Sequence, residues 1–414
     1  MRYQASFVVA VMLVAGSVRA QPGAVDPAGE LEEAEAPESP LGKIEIHGFA
    51  SEGAFWSTAN DYLGESSRGT LELFEAALNV SSEVSERLRA GIQLYARDIG
   101  KFDTDYPRID WAFLDYRWKE YLGIRAGIIK MPFGLYNEYA DIDSARLSIL
   151  MPQGIYPVRN REALLAHRGF AVYGSHRVGA AGALDYQAWL GSLSVPEDAL
   201  TLAGADLERI DTKYITGAQV FWRTPITGLR LGGTWLRTSI DFHVQLPPDT
   251  VEQLVMAGLV PPDYTGALVV SQRPASQVIA SLEYQRGDSL FALEYGRSFK
   301  HQQTSLPMLI PSFDEDRESF YALATHRPHE RFELGGYYSV SHLDANDRLG
   351  RDMKWAERHH AFQRDLAVTL RYDVNDHWLW KLEGHFIDGT ADVDVATNPK
   401  RYWGLFLLRT TVSF

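Results

Sequence analysis

The chain has 414 residues, with 54 acidic against 40 basic side chains, a formal net charge of −14 and no cysteine. So acidic a chain lacks the basic face that nucleic-acid binding needs, and with no thiol its stability cannot come from disulfides. After the first twenty residues no run of eighteen apolar residues occurs, which excludes a membrane-spanning helix there.

The amino-terminal residues read as an export signal. Arg2 supplies a positive start, Phe7 to Ala15 an apolar stretch, and Val18-Arg19-Ala20 a small-residue cleavage site. Removing residues 1–20, with Arg2 and Arg19, takes the net charge from −14 to −16. Residues 21–42 follow, with Asp26, Glu30, Glu32, Glu33, Glu35 and Glu38 and no basic residue. Too few large apolar groups occur there to offset chain entropy, so this segment is expected to be disordered or a marginal helix.

From Lys43 to Phe414 the pattern changes to alternation with a period of two. In Leu88–Arg97, Leu88, Ala90, Ile92, Leu94 and Ala96 oppose Arg89, Gly91, Gln93, Tyr95 and Arg97. The same alternation runs through Phe362–Asp373 and Trp378–Phe386. Sixteen such segments can be marked, and the connections between them alternate in length. Seven are short, such as Gly287-Asp288, and eight are long, the longest spanning 132–168. A sheet of sixteen strands with one apolar face and no helices to cover it must close on itself in lipid. The predicted fold is therefore an all-β, antiparallel up-and-down transmembrane barrel, with short turns on one rim and long loops on the other. Aromatic residues at strand ends (Trp111 and Trp118, Trp378 and Trp380, Tyr402 and Trp403) suit interfacial girdles.

The last segment, Arg401–Phe414, ends in a Phe that shares its face with Phe406, Leu408, Thr410 and Val412. It resembles the carboxyl-terminal signature of bacterial outer-membrane proteins. The stretches Leu114–Pro157 and Leu370–Val393 resemble Gram-negative porins, in particular those related to phosphate-selective channels. That resemblance implies a passive diffusion channel, usually trimeric, in outer-membrane lipid. It would carry small hydrophilic solutes or inorganic ions, with both termini periplasmic and Phe414 read by the outer-membrane assembly machinery.

In that family the long loop after the fifth strand folds inward and narrows the lumen, and 132–168 occupies that position. Pro132 and Gly134 end strand pairing, and 141–151 is expected to form a short helix capped by Asp141 or Asp143. Leu147, Ile149, Leu150 and Met151 would then pack on the inner wall, leaving the candidate constriction charges Glu138, Asp141, Asp143, Arg146, Arg159 and Arg161, with Arg168, to meet water. Mixed charge at a constriction selects solutes by size and charge. The other reading of the stretch is an external loop with ordinary solvated charges.

Alternation places Arg89, Arg97, Arg117, Arg125, Arg223, Arg230, Arg371, Lys381 and Arg409 toward the lumen. Ten acids face the same way, among them Glu75, Asp115, Glu283, Glu294, Asp365 and Glu383, and many of these charges are expected to pair across strands. That balance departs from a strongly anion-selective channel. Arg89, Arg97, Arg117 and Arg125 are expected to form a basic strip facing the loop carboxylates. No Gly-x-Ser-x-Gly or His-Glu-x-x-His motif occurs, so no enzymatic activity, metal or cofactor is expected. The alternative function is a barrel with a closed lumen that binds at the surface or anchors the envelope.

Overall fold

Residues 42–104, 106–193, 206–307, 311–354, 356–393 and 397–414 are described in the computed structural model. The expected export signal and all but the last residue of the acidic segment lie outside them. Among the described residues, seventeen strands join one antiparallel sheet. One of them, the two-residue Phe102–Asp103, only folds back on its predecessor, so sixteen form the wall.

These are β1 (Lys43–Ser57), β2 (Leu73–Ser85), β3 (Leu88–Ile99), β4 (Arg108–Lys119), β5 (Leu122–Lys130) and β6 (Ala166–Arg177). Next come β7 (Ala183–Ser192), β8 (Asp206–Arg223), β9 (Leu229–Gln245), β10 (Ala267–Arg286) and β11 (Ser289–Thr304). The circuit ends with β12 (Phe313–His329), β13 (Phe332–His342), β14 (Phe362–Asn375), β15 (Trp378–Gly389) and β16 (Tyr402–Ser413). Each pairs with its sequence neighbours, and β16 returns to β1 in a register running from Phe49↔Ser413 to Ser57↔Leu405. The sheet is closed and no edge is left open. Phe414 extends the closure, since its N–H donates to the Gly48 carbonyl (3.0 Å) and the Gly48 N–H to its own (3.1 Å).

The alternation read from the sequence holds. Leu366, Val368, Leu370, Leu382, Phe386, Phe406 and Leu408 are exposed, whereas Ala367, Thr369, Lys381, Glu383, Leu407 and Arg409 are buried inside. Val368 leaves 55 % and Phe386 60 % of its surface uncovered, values that only a lipid neighbour makes tolerable for a continuous apolar belt. Short turns lie on one rim, where β10 hands over to β11 through Gly287 and Asp288. Gly287 has φ +56°, a left-handed conformation that glycine adopts without steric cost. The first strand starts and the last ends on this same rim.

Two of the expected girdle aromatics turn the other way. Trp403 is buried inside the barrel with Phe55, Leu405 and Leu407. Trp111 pairs with the inward Gln93 and stacks on Phe113 at 5.4 Å between ring centres. Trp118, Trp378 and Tyr402 do face outward.

Replacing Val368 by Arg in the middle of the lipid face should cost about 2–4 kcal/mol, whereas Ile226→Arg, in the short β8–β9 turn, should cost about 0–1 kcal/mol. Urea midpoints of the two variants refolded into lipid vesicles measure the difference.

Candidate functional site: a loop inside the barrel

The chain leaves β5 at Lys130 and re-enters the wall at Ala166, so the loop ends three residues before the expected 168 and Arg168 belongs to β6, paired with Ile128 of β5. Gly134, with φ +60°, turns it, and no Cβ would fit there beside the Tyr156 hydroxyl and the Glu294 carboxylate. Only short helical turns follow: Asn137–Tyr139, Asp143–Ala145, Val158–Asn160 and one α turn, α1 (Arg161–Leu164). The helix expected over 141–151 is absent. Its place holds the single turn at Asp143–Ala145, preceded by Ile142, with no side-chain cap. Asp143 is engaged elsewhere. Asn137 ties the two ends of the loop together by donating to the carbonyls of Met131 (3.0 Å) and Leu164 (2.7 Å).

Three buried carboxylates seat the loop against the wall. On β11, Glu294 accepts from the Leu135 N–H (2.8 Å), Ser281 (2.6 Å), the Tyr321 hydroxyl (2.7 Å) and the Tyr156 hydroxyl. On β15, Glu383 accepts from two successive loop amides, Ile149 (2.7 Å) and Leu150 (2.8 Å), and from Thr369 (2.6 Å). His385 stands beside it, with Nε2 3.0 Å from Glu383 and Nδ1 2.9 Å from Asp365. The third carboxylate comes from the loop. Asp143 lies 3.0 Å from Lys381 and 3.6 Å from Arg409, and accepts from Thr411 at 2.7 Å. Burial alone would push its carboxyl up, but Lys381, Arg409 and Arg146 with the Thr411 bond outweigh that and hold it below the ordinary carboxylate range.

Cationic wall groups serve the loop carbonyls. Lys381 donates to those of Asp143 (2.6 Å) and Arg146 (2.9 Å), and Arg371 to that of Ser144 (2.6 Å). Apolar contacts complete the seat. Met131, Phe133, Leu135, Met151, Ile155 and Tyr156 pack with inward residues of β6 to β12, including Trp189, Ile215, Phe221 and Ile279. Ile149 and Leu150 join Leu73, Ile99, Ile387, Leu405 and Leu407 on the other side. Leu147 is buried too, so all four apolar loop residues expected to meet the wall do so.

The loop charges expected to meet water are instead largely paired. Asp141 binds Lys130 at 2.7 Å and accepts from Gln93 at 2.8 Å. Arg161 binds Asp110 at 2.8 Å, and Arg159 reaches Asp392 at 3.3 Å. Arg146 turns back onto the carbonyls of Ser148 (2.8 Å) and Ile149. Glu138 accepts from Gln187 at 3.3 Å, and burial raises its carboxyl above the ordinary range. Such pairs form because a charge removed from water needs a partner.

The expected wall cations divide in two. Arg97, Arg371, Lys381 and Arg409 touch the loop, Arg97 through Glu162 at 3.3 Å. Arg125 instead pairs with Asp115 of the neighbouring strand at 3.0 Å, Arg89 donates to Ser81 at 3.4 Å, and Arg117 lies over the Tyr173 ring. A continuous strip of four arginines against the loop is not what forms. Alternation places Glu294 and Glu383 on the inner face, but it does not reveal their bonds to the loop amides. Inward apolar residues at positions where a wet lumen would want polar ones (Trp189, Ile215, Leu405, Leu407) are the signal that could have marked the seat.

No family model and no curated protein matches this sequence. Solved structures do match. OmpT, an outer-membrane protein of Vibrio cholerae, aligns with a TM-score of 0.56 at 13 % identity, over 90 % of this chain and 97 % of its own. The anion-selective porin from Comamonas acidovorans gives 0.55 at 11 % identity, over 90 % and 99 %. The outer-membrane channel DcaP of Acinetobacter baumannii gives 0.53 at 11 % identity, over 90 % and 97 %. At these identities the likeness is one of fold: a closed barrel of the outer-membrane porin kind.

Changing Asp143 to Asn leaves Lys381 and Arg409 short of a buried counter-charge and should weaken the seat by about 3–5 kcal/mol. Faster amide hydrogen exchange over 143–150 in the variant is the expected readout. Because a depressed carboxyl stays ionised below its ordinary pKa of about 4, its contribution is present above that value and is lost only as pH falls through the lowered one. The wild-type protection factors, which correct the exchange rates for their intrinsic pH dependence, should therefore stay flat on acidification to about pH 4.

Proposed function

We propose that this chain is an outer-membrane pore for passive diffusion of small hydrophilic solutes or ions, with its bore set by the loop between β5 and β6. The observation that carries this reading is that the loop rises between β5 and β6 and bonds to the wall across from them, at Glu294 on β11 and Glu383 on β15. Anything crossing must pass beside the loop or move it. Glu138, Asp141, Asp143, Arg146, Arg159 and Arg161 lie on this narrow section, with Arg97, Arg371, Lys381 and Arg409 as its wall. Their pairing speaks against a ladder of free cations, so the phosphate preference of the resembling family is not carried over. The pore is not an enzyme. Residues 1–20 direct export, the short-turn rim with both chain ends faces the periplasm, and Phe414 is the assembly signal. A homotrimer is the assembly this reading favours, in keeping with the trimer form of the structurally similar OmpT.

One observation favours a second reading, a sealed barrel that anchors the envelope or binds at its surface. Inward residues on most wall strands are buried, among them Ser51, Glu75, Tyr95, Trp189, Glu294, Tyr321 and Glu383, although none on β4 is.

Planar-bilayer recording separates the two. A pore gives small, stable unitary steps in the wild type, and Glu383→Gln combined with Glu294→Gln raises them severalfold by loosening the loop. Silence in the wild type, with conductance appearing only in the double variant, would establish the sealed barrel.

A further inference from the structure

Behind the loop, between 137–165 and the wall formed by β2, β3 and β16, lies a cavity of about 60 Å³. Four arginines line it, Arg97 and Arg409 from the wall and Arg146 and Arg161 from the loop, and Glu75 is the one acid among the described lining residues. On the measure by which one water needs roughly 10–15 Å³, this space takes a small anion with its waters.

Hydrogen bonding leaves three of these guanidinium groups incomplete. The Nε–H groups of Arg97, Arg146 and Arg409 are buried and have no hydrogen-bond partner among the described residues. A buried N–H without a partner is uncommon, and three on one cavity call for an acceptor. The side chains of Arg97 and Arg409 are only 2 % and 1 % exposed, so bulk water does not serve them.

The charge count points the same way. Arg97 pairs with Glu162, Arg161 with Asp110 and Glu162, and Arg409 with Glu75 and Asp143. Asp143 also meets Lys381 and Arg146. Among the described residues the ion-paired set thus holds five cations (Arg97, Arg146, Arg161, Lys381, Arg409) and four carboxylates (Glu75, Asp110, Asp143, Glu162). One positive charge is left over in a site removed from water, where an uncompensated charge costs several kcal/mol. A divalent anion would overshoot the balance, whereas a monovalent one closes it.

We propose that this cavity binds a small inorganic monoanion of halide size, which completes the seat of the loop. Arg97 and Arg409 present it from the wall, and Arg146 clamps it from the loop side. The anion is a bound part of the structure, held behind the loop, and the inference does not depend on whether the barrel conducts.

The test uses the full chain, purified in detergent. Crystals grown with bromide as the halide should show an anomalous peak in this cavity, in contact with Arg97, Arg146 or Arg409. In solution, titrating chloride into protein held in a gluconate buffer should give saturable heat with one site per chain. Arg146→Gln should weaken that binding about tenfold or more, since it removes a charge-assisted donor, while Arg230→Gln on the far wall leaves it unchanged. If Arg146→Gln fails to assemble, Arg146→Lys replaces it, and loss of the anomalous peak is then the readout. A cavity holding only waters in the bromide crystals, with no saturable heat in the wild type, overturns the proposal. A protein that conducts yet binds no bromide fails this inference alone. One that binds bromide yet is silent in bilayers fails only the pore reading.

Discussion

A stretch of non-strand backbone inside a barrel has to find partners for its amides and carbonyls without much help from water, and that requirement organises this molecule. The wall strands spend their own backbone groups on the ladder, so only inward side chains remain to serve the loop. The chemistry divides by sign. Acidic wall groups meet loop N–H groups, as Glu294 does at Leu135 and Glu383 at Ile149 and Leu150. Basic and amide groups meet loop carbonyls, as Lys381 does at Asp143, Arg371 at Ser144 and Gln219 at Gly134. The near balance of acids and bases on the inner wall is then a consequence of what the loop backbone needs, before any consideration of what crosses the barrel.

The same requirement explains why the inner wall is not uniformly polar. A loop that brings Phe133, Met151, Ile155 and Tyr156 indoors needs apolar surface to meet, and β6 to β12 provide Ala171, Trp189, Ile215, Phe221 and Ile279. These residues occupy inward positions of the alternation, so several strands are apolar on both faces over part of their length. The outer face of those positions answers to lipid and the inner face to the loop. Two solvents, one fluid and one made of protein, therefore act on one sheet.

Much of this fold is legible in the chain because a period of two is a strong signal when it recurs sixteen times between turns of alternating length. The middle of Leu88–Arg97 shows its burial pattern before any coordinates, with Ile92 and Leu94 out and Gln93, Tyr95 and Arg97 in, although Ala96 is buried against the alternation and Arg89 is exposed. The position of the long loop was legible for the same reason, as the longest break in a regular series. Its internal structure was not. Asp143 looks like a helix cap in sequence, but its partners Lys381, Arg409 and Thr411 lie more than two hundred residues away. Nothing local marks Glu162 as a partner of Arg97, which only the fold brings to it from β3. Trp403 and Trp111 carry the aromatic character of girdle residues, and only the parity of their strands decides that they face inward. Local pattern fixes the face of a residue, whereas its partner depends on closure of the whole ring.

Closure also gives the loop an uneven hold. Its apolar flanks, 131–135 and 147–156, bury groups that would lose their shelter if the loop withdrew, and water offers them nothing in exchange. Between them, 138–146 carries Glu138, Asp141, Asp143 and Arg146, whose partners are ionic. A buried ion pair repays little more than the desolvation of its members, so exchanging such partners for water costs far less than exposing the flanks. The polar middle is therefore the part of the loop best able to yield while the flanks stay docked. Asn137, bonded to both Met131 and Leu164, holds the base of the loop closed beneath it. Any movement of the loop that this architecture allows would begin at Asp143 and its three cations rather than at the aromatic cluster around Tyr156.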